Sequence, residues 1–453
     1  MMPDKKLFCS SPWLHIRLNA SGQFIPCRWM NSGHYINPKF STYSDLNFKT
    51  TGLMEYFNSD QMKLVRTSLL TDKKLPACAK CHYEDSFGKT SGRKKQLYRS
   101  KLDSEESFDE TFTDSLHYDL FKYSEENNGE SNGHPFDLQI DLGNTCNGAC
   151  IMCYPDLSSR LYSDYTKLST ISPALFKQGP KINCWSDDPV LLDRFIQELI
   201  KFPSIDYIHL LGGETLYLES FYTICDALIA AGLSEKIFLG TTTNLTLYSE
   251  RLENIVTQFS SFHIGLSIES VNPLNDYIRY PAKIAGVLDT LGKFLELRNG
   301  NPDKIHLSLR ITPNIFSIFY MDEIIQYMCD NNITGESCDI LYNPACLRME
   351  LIPEDLRLIA ISKLEKVIEL NSLSRSAVVD TRNSGLIRQV IASVAFSYID
   401  FLTNMTLPSD SEKCRRDLVT FLNGFESLRG NSILEYAPEY EPFLMTYGYK
   451  KKN

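Results

Sequence analysis

The stretch DLQIDLGNTCNGACIMC, residues 137–153, decides the fold. Its first seven residues, Asp137 to Gly143, form a short strand-like run. Directly after it come Cys146, Cys150 and Cys153, spaced CxxxCxxC. Three thiolates at this spacing reach three irons of one 4Fe-4S cubane and leave the fourth iron open to a further ligand. Zinc is the alternative, and it would want a fourth donor, for which His134 and Asp156 are the candidates. Three buried core cysteines are the plainest alternative. Position adds to spacing: the loop leaves the C-terminal end of a strand, where barrel enzymes place their sites.

Working outward, strand-like runs alternate with helical segments. DLQIDLG is followed by a helix over Pro189 to Lys201, DYIHLLGGE by Leu218 to Ala231, and KIFLGTTTN by Arg251 to Phe259. FHIGLSIES leads to Ala282 to Arg298, and KIHLSLRIT to Met321 to Asn331. Such repetition predicts a parallel sheet with helices outside it, and this many units on one sheet point to a barrel. The expected class is α/β: a partial (β/α)6 TIM-like barrel over residues 136–352, followed by a helical extension over 353–453. Ahead of it, residues 1–100 read as a small cysteine-rich metal domain. It holds a hairpin (Trp13 to Leu18, a turn at Asn19 to Gly22, then Gln23 to Ile25), a helical segment near Leu53 to Leu70, and the CAKC knuckle of Cys78 and Cys81. A metal would staple so small a domain. Residues 101–135 read as an acidic linker or insertion.

The formal charge of -10 is largely local. Residues 101–130 hold ten Asp or Glu against Lys101 and Lys122, which leaves the remainder near neutral. That balance disfavours nucleic acid as the main partner, since phosphate binding wants a basic face. Hydrophobic residues at 43% and charged residues at 23% are the proportions of a soluble globular protein. No run reaches the roughly 18 apolar residues of a membrane span, and the first residues lack a secretory apolar region, so a cytoplasmic protein is expected. Thirteen cysteines there argue for metal ligation over disulfides. Cys9, Cys27, Cys78 and Cys81 form a second, looser set, whose spacing alone favours zinc. Cys184, Cys225, Cys329, Cys338, Cys346 and Cys414 have no ligand spacing and read mostly as small buried hydrophobes.

The motif CNGACIMCYP resembles the cluster loop of the radical S-adenosylmethionine (SAM) superfamily. Further motifs stand at successive strand ends in that family's order. Gly212-Gly213-Glu214 resembles its GGEP motif, with Thr215 in place of proline. Thr242-Thr243-Asn244 resembles its TNG-like segment, and Ser267-Ile268-Glu269 its SID, with Glu269 lengthening the usual aspartate. Met152 stands where an aromatic residue often packs near adenine. The resemblance implies that Cys146, Cys150 and Cys153 hold a SAM-binding 4Fe-4S cluster. It also implies that Met152, Gly212, Gly213, Glu214, Asn244, Ser267 and Glu269 contact the cofactor. Arg279 and Arg310 are candidates for its carboxylate.

FCSSPWLHIRLNASGQFIPC with CAKCHYEDSFGKTSGR resembles a twitch domain, the truncated SPASM-like auxiliary-cluster region, here ahead of the barrel. This favours a second iron-sulfur cluster over zinc on Cys9, Cys27, Cys78 and Cys81. IRYP-like (Ile278 to Pro281) and PEY-like (Pro438 to Tyr440) segments resemble those of a subgroup of twitch-containing proteins that carries this region ahead of the barrel. Glu84, Ser91 and Arg93 would line the passage between the two sites or be simply solvated, while His15, Trp13 and Trp29 read as packing residues. The implied reaction is reductive cleavage of SAM and hydrogen abstraction from a peptide or a small polar substrate, with flavodoxin or ferredoxin as electron donor. A small-molecule radical epimerase or dehydrogenase is the nearest alternative, and a zinc-stapled, non-catalytic scaffold is the alternative from another class.

Overall fold

The computed structural model describes residues 6–29, 46–86, 91–99, 115, 117–177, 179, 181–202, 205–335, 341–375 and 387–450. Eight strands form one sheet in the order β2-β1-β3-β4-β5-β6-β7-β8. They are β1 (His15–Leu18), β2 (Phe24–Ile25), β3 (Asp137–Asp141), β4 (Tyr207–Leu211), β5 (Phe238–Thr243), β6 (Ser261–Ser267), β7 (Ile305–Arg310) and β8 (Thr334–Gly335). All neighbours pair in parallel except β1 with β2. The run β3 to β8 with its crossover helices is the expected partial (β/α)6 barrel. The five expected crossover helices lie at Pro189–Ile200, Glu219–Ala230, Glu250–Val256, Ile284–Gly300 and Met321–Asp330.

The alternation of strand residues separates two faces. Leu138, Ile140, Ile208, Leu210, Leu239, Ile264 and Leu309 are buried in one hydrophobic core. The intervening positions are polar and meet one another across the strands. His209 Nε2 lies 3.3 Å from Thr242 Oγ1, and His263 Nε2 lies 2.8 Å from Ser308 Oγ. Arg17 Nη2 is 3.2 Å from Asp141, and Arg28 Nη2 is 2.6 Å from Asp137. The barrel interior is thus a polar column.

The N-terminal hairpin is part of this sheet. Its β1 pairs with β3 over His15–Leu18 and Asp137–Ile140, so Ile16 and Leu18 enter the core they share with Leu138 and Ile140. The helical segment expected over Leu53 to Leu70 breaks into Leu53–Phe57 and Asp60–Leu70. Ser59 caps the second piece by accepting from Met62 N. A smaller core joins Phe8, Trp13, Leu14, Val65, Leu69 and Phe121. Phe121 belongs to the helix Tyr118–Glu126, the described part of the acidic segment, and packs edge-on to both Phe8 and Trp13 at 5.1 Å. Trp13 donates to Ser124 Oγ at 2.7 Å. The acidic charges face outward from a helix whose apolar side is buried. Arg66 ties these pieces together, donating to the carbonyls of Pro12, Gly129 and Phe57.

The C-terminal helices Glu354–Leu370, Ile387–Asn404 and Ser411–Arg429 complete the structure. In the PEY-like segment, the buried Tyr440 hydroxyl donates to Ile315 O, and Tyr320 donates to Glu439 at 2.7 Å. Both contacts bind the extension to the loop after β7. Among the described residues no helix is long and apolar enough to cross a membrane.

Candidate active site and metal centres

The loop after β3 is fastened at both flanks. Ser158 Oγ donates to Gly148 O at 2.6 Å, and Asn144 Nδ2 donates to Pro155 O at 3.2 Å. Ala149 N and Ile151 N donate to Tyr280 O and Ile278 O at 2.6 and 2.9 Å, so the IRYP-like segment pairs with the cysteine loop. Gly148 is the pivot: a Cβ there would stand 3.6 Å from the sulfurs of both Cys146 and Cys150. Gly148 N–H donates to Cys146 Sγ at 3.3 Å. Burial pushes the Cys146 thiol up to about 11 and raises Cys150 and Cys153 as well, the latter further through the charges of Cys150 and Cys146. Metal binding there must displace protons, so loading is favoured by rising pH.

The next two strand ends press on this loop. Gly213 has no room for a side chain, since a Cβ would lie 2.4 Å from Thr145 O and 2.6 Å from Asn144 O. Glu214 N donates back to Thr145 O at 2.9 Å. Its buried carboxylate accepts from Asn244 N at 2.6 Å and from Leu216 N at 3.3 Å, while burial pushes it up to about 7. Glu214 is therefore a bracket between two strand ends, and the backbone of Gly212 and Gly213 is what meets the loop.

Asn244 Nδ2 donates to Asn147 Oδ1 at 2.7 Å, and Asn147 Nδ2 donates to Thr246 Oγ1 at 2.8 Å. Between Asn244 and Thr246 the buried Leu245 adopts φ +63°, a left-handed conformation that turns both neighbours toward Asn147. Such a conformation in a non-glycine residue persists only where its surroundings impose it. These groups line a cleft of about 180 Å³ with Gly148, Cys150, Arg279, Pro281 and Ala282.

Of the residues expected to bind cofactor or cluster, Cys150 and Asn244 line that cleft. Met152 packs into the hydrophobic core instead of facing it. Glu269 is fully buried, accepting from Arg279 Nη2 at 2.7 Å and from Thr312 N at 2.8 Å, so it holds Arg279 in place. Burial raises Glu269 to about 7 against the pull of Arg279, while Glu269 and the thiols raise Arg279. Its two carboxyl oxygens are thus divided between Arg279 and the backbone of Thr312. Ser267 and Arg310 are register partners at the ends of β6 and β7, and Arg310 lies across Gly265 inside the barrel. Asn147 and Thr246 carried no signal in the sequence beyond their neighbours in the motifs.

His134 is exposed and precedes β3, so the strand separates it from Cys146. That removes it as the fourth donor of a zinc site there.

The second cysteine set gathers at the other end of the strands. Cys9 precedes β1, and Cys27 follows β2, which runs antiparallel to it. Burial raises the thiols of Cys9, Cys78 and Cys81, and the charge of Cys27 raises each of them further, so Cys27 is a neighbour of all three. Trp29 N–H donates to Cys27 Sγ at 3.3 Å. Arg93 is buried and paired with Asp85 at 2.8 Å, with Phe8 O also within its reach. Glu84 and Ser91 are buried too. Among the described residues, no three His, Cys, Asp or Glu side chains stand around a single-ion position. Of the cysteines without ligand spacing, Cys184, Cys225, Cys346 and Cys414 are buried, Cys329 is half-buried, and Cys338 lies outside the described residues.

Residues 140–309 match the family described as Radical SAM superfamily. The chain carries a radical SAM domain. It begins within β3 and ends within β7, and includes all three cysteines of the loop. The second cysteine set and the C-terminal helices lie outside it. No curated protein matches the chain. Among solved structures it is similar to Streptococcus suis SuiB bound to the precursor peptide SuiA, at 14% identity and TM-score 0.35, covering 65% of this chain and 58% of that one. It is similar also to SuiB bound to S-adenosylmethionine (16%, 0.34, 62% and 58%) and to anSMEcpe with bound AdoMet (12%, 0.34, 52% and 60%). The chain thus spans less than two thirds of the length of these structures.

Proposed function

We propose that the protein is a radical SAM enzyme whose substrate is a peptide side chain or a small polar molecule. The observation that carries this reading is the loop of Cys146, Cys150 and Cys153, bolted between strand ends and opening beside Cys150 into a cleft that Asn147, Asn244, Thr246 and Arg279 help to line. The donor set suits a cubane, with three cysteines in one loop and a backbone N–H on one sulfur. Cys146, Cys150 and Cys153 would hold a 4Fe-4S cluster, which would supply the electron for reductive cleavage of SAM, releasing methionine, and so for hydrogen abstraction from the substrate.

The chain's own residues bind, orient and exclude water. Arg279, kept charged by Glu269, offers N–H groups to a carboxylate entering the cleft. Asn147, Asn244 and Thr246 hold one another and present amide and hydroxyl edges there. Gly213 brings backbone against the cluster loop where a side chain would block it, and a side chain at Gly212 would meet Leu218. Below them, His209 is kept neutral by burial and by the nearby arginines, which suits a polar contact over a charged one. Cys9, Cys27, Cys78 and Cys81 would hold an auxiliary iron-sulfur cluster, and a flavodoxin or ferredoxin would supply the electron.

The test is anaerobic reconstitution of the full chain and of a Cys146, Cys150, Cys153 triple alanine variant. Iron, sulfide and zinc are counted, and 5'-deoxyadenosine is assayed with dithionite and SAM. Cleavage in the wild type alone supports the proposal. Zinc without iron, and no cleavage under reducing conditions, would sink it in favour of a scaffold.

A further inference from the structure

The helix Ser411–Arg429 lies outside the radical SAM domain, yet its last turn ends against the cysteine loop. Arg429 donates from Nη2 to Ala149 O at 2.6 Å, the carbonyl next to Cys150. Its side chain is 3% exposed and stands 3.5 Å from Asp164 Oδ2. The guanidinium lies over the rings of Phe425 and Tyr280, at 4.2 and 4.7 Å from their centroids. Its Nε and Nη1, both buried, have no hydrogen-bond partner among the described residues. A buried cation is unfavourable unless negative charge stands near it, and Asp164, 24% exposed, answers only in part. Cys150, once metal has displaced its proton, would add negative charge within reach of the guanidinium. Glu426, on the same helix face, accepts from Tyr277 at 3.0 Å, from Tyr449 at 2.7 Å and from Ile433 N at 2.8 Å. Those bonds fasten this helix to the segment after it.

Resting on the function proposed above, we infer that Arg429 is a positioning residue of the cluster site: it fixes the Ala149–Cys150 peptide and, as a buried cation, raises the reduction potential of the cluster held there. Reduction adds negative charge, which a fixed cation stabilises in a poorly screened site. Asp164 works against it, so the two residues carry opposite signs.

The experiment compares the full-length wild type, Arg429→Gln, Arg429→Lys, Asp164→Asn and Tyr449→Phe after anaerobic reconstitution. Iron and sulfide are counted first; a wild type that takes up no iron refutes the underlying function by itself. The reduced fraction is then followed by electron paramagnetic resonance against applied potential without SAM, the relevant signal being the one that changes when SAM is added. Arg429→Gln is expected to lower the reduced-to-oxidised ratio at fixed potential about tenfold, or 59 mV for one electron, with Arg429→Lys restoring most of it. Asp164→Asn is expected to shift the ratio upward. Tyr449→Phe is expected to lower the melting temperature and leave the potential alone. Full iron content with an unchanged potential in both Arg429→Gln and Asp164→Asn overturns the inference, as does a Tyr449→Phe shift equal to that of Arg429→Gln. If Arg429→Gln does not fold, an unchanged potential in Asp164→Asn, altered only at a partly exposed carboxylate, overturns it alone.

Discussion

A methyl group at Gly213 would sit 2.4 Å from the carbonyl oxygen of Thr145, against the backbone of Asn144 and Thr145. Nothing flexible is there to yield, so Gly213→Ala must move the cysteine loop or the end of β4. We expect a loss of about 1–3 kcal/mol and a lower iron content, read by thermal unfolding and metal analysis. Glu214 gives a pH prediction. Its carboxyl titrates near 7 in the folded chain against 4.5 in the unfolded one, so the folded state holds the proton more tightly. Its stabilising contribution is then full below about pH 4.5 and is lost as pH rises toward 7. Glu214→Gln should flatten that part of the stability profile, so its melting temperature should change less between pH 5 and pH 8 than that of the wild type. An equal change in both proteins would refute the assignment. These residues were legible because each sits in a motif at a strand end. Arg429 was not, since 280 positions separate it from Ala149 and one arginine at a helix end has no signature. Nor does any sequence pattern announce the left-handed Leu245.

At the scale of elements, alternating strand and helix patterns located β3 to β7 and their crossovers, because each strand's outward row must be apolar to meet a helix. The edge of the sheet was less legible. A hairpin pattern in residues 13–25 marks β1 and β2 but says nothing of which distant strand β1 will join. Parallel pairing leaves no turn to read, and β3 lies more than a hundred residues on. The acidic segment was legible mainly in its composition. Its ten carboxylates dominate composition, while its anchorage depends on single apolar residues such as Phe121, buried against Phe8 and Trp13. Phe121→Ala should therefore cost about 3–5 kcal/mol, a penalty a solvated linker would not show. Denaturant unfolding measures it, and a change within about 0.5 kcal/mol would mean that the helix Tyr118–Glu126 contributes nothing to that core.

Across the whole molecule, the two cysteine sets stand at opposite ends of the same strands. Cys146 leaves the C-terminal end of β3, while Cys9 and Cys27 flank the other end of the β1–β2 hairpin that pairs with it. A five-residue strand separates such ends by about 16 Å, and the polar column of His209, His263, Arg17 and Arg310 fills the interval. The helix Ala79–Ser86, which carries Cys81, also reaches the far edge of the sheet. There Tyr83 donates to Glu350 at 3.3 Å and packs edge-on to Tyr342, in the segment after β8. One helix thus bridges from the second cysteine set to the open side of the barrel, so metal at Cys78 and Cys81 would bear on closure of the polar column and not on the loop at Cys146. This predicts a separation of effects. Cys78→Ala with Cys81→Ala should remove the N-terminal metal and lower the melting temperature. It should leave the Cys146 cluster in place and leave reductive cleavage of SAM within a few-fold of wild type. Metal counts and 5'-deoxyadenosine formation on the same reconstituted samples test it. Loss of both metals together, or loss of cleavage with the Cys146 cluster intact, would mean that the two ends are coupled through the column and that the N-terminal set belongs to the cleavage machinery itself.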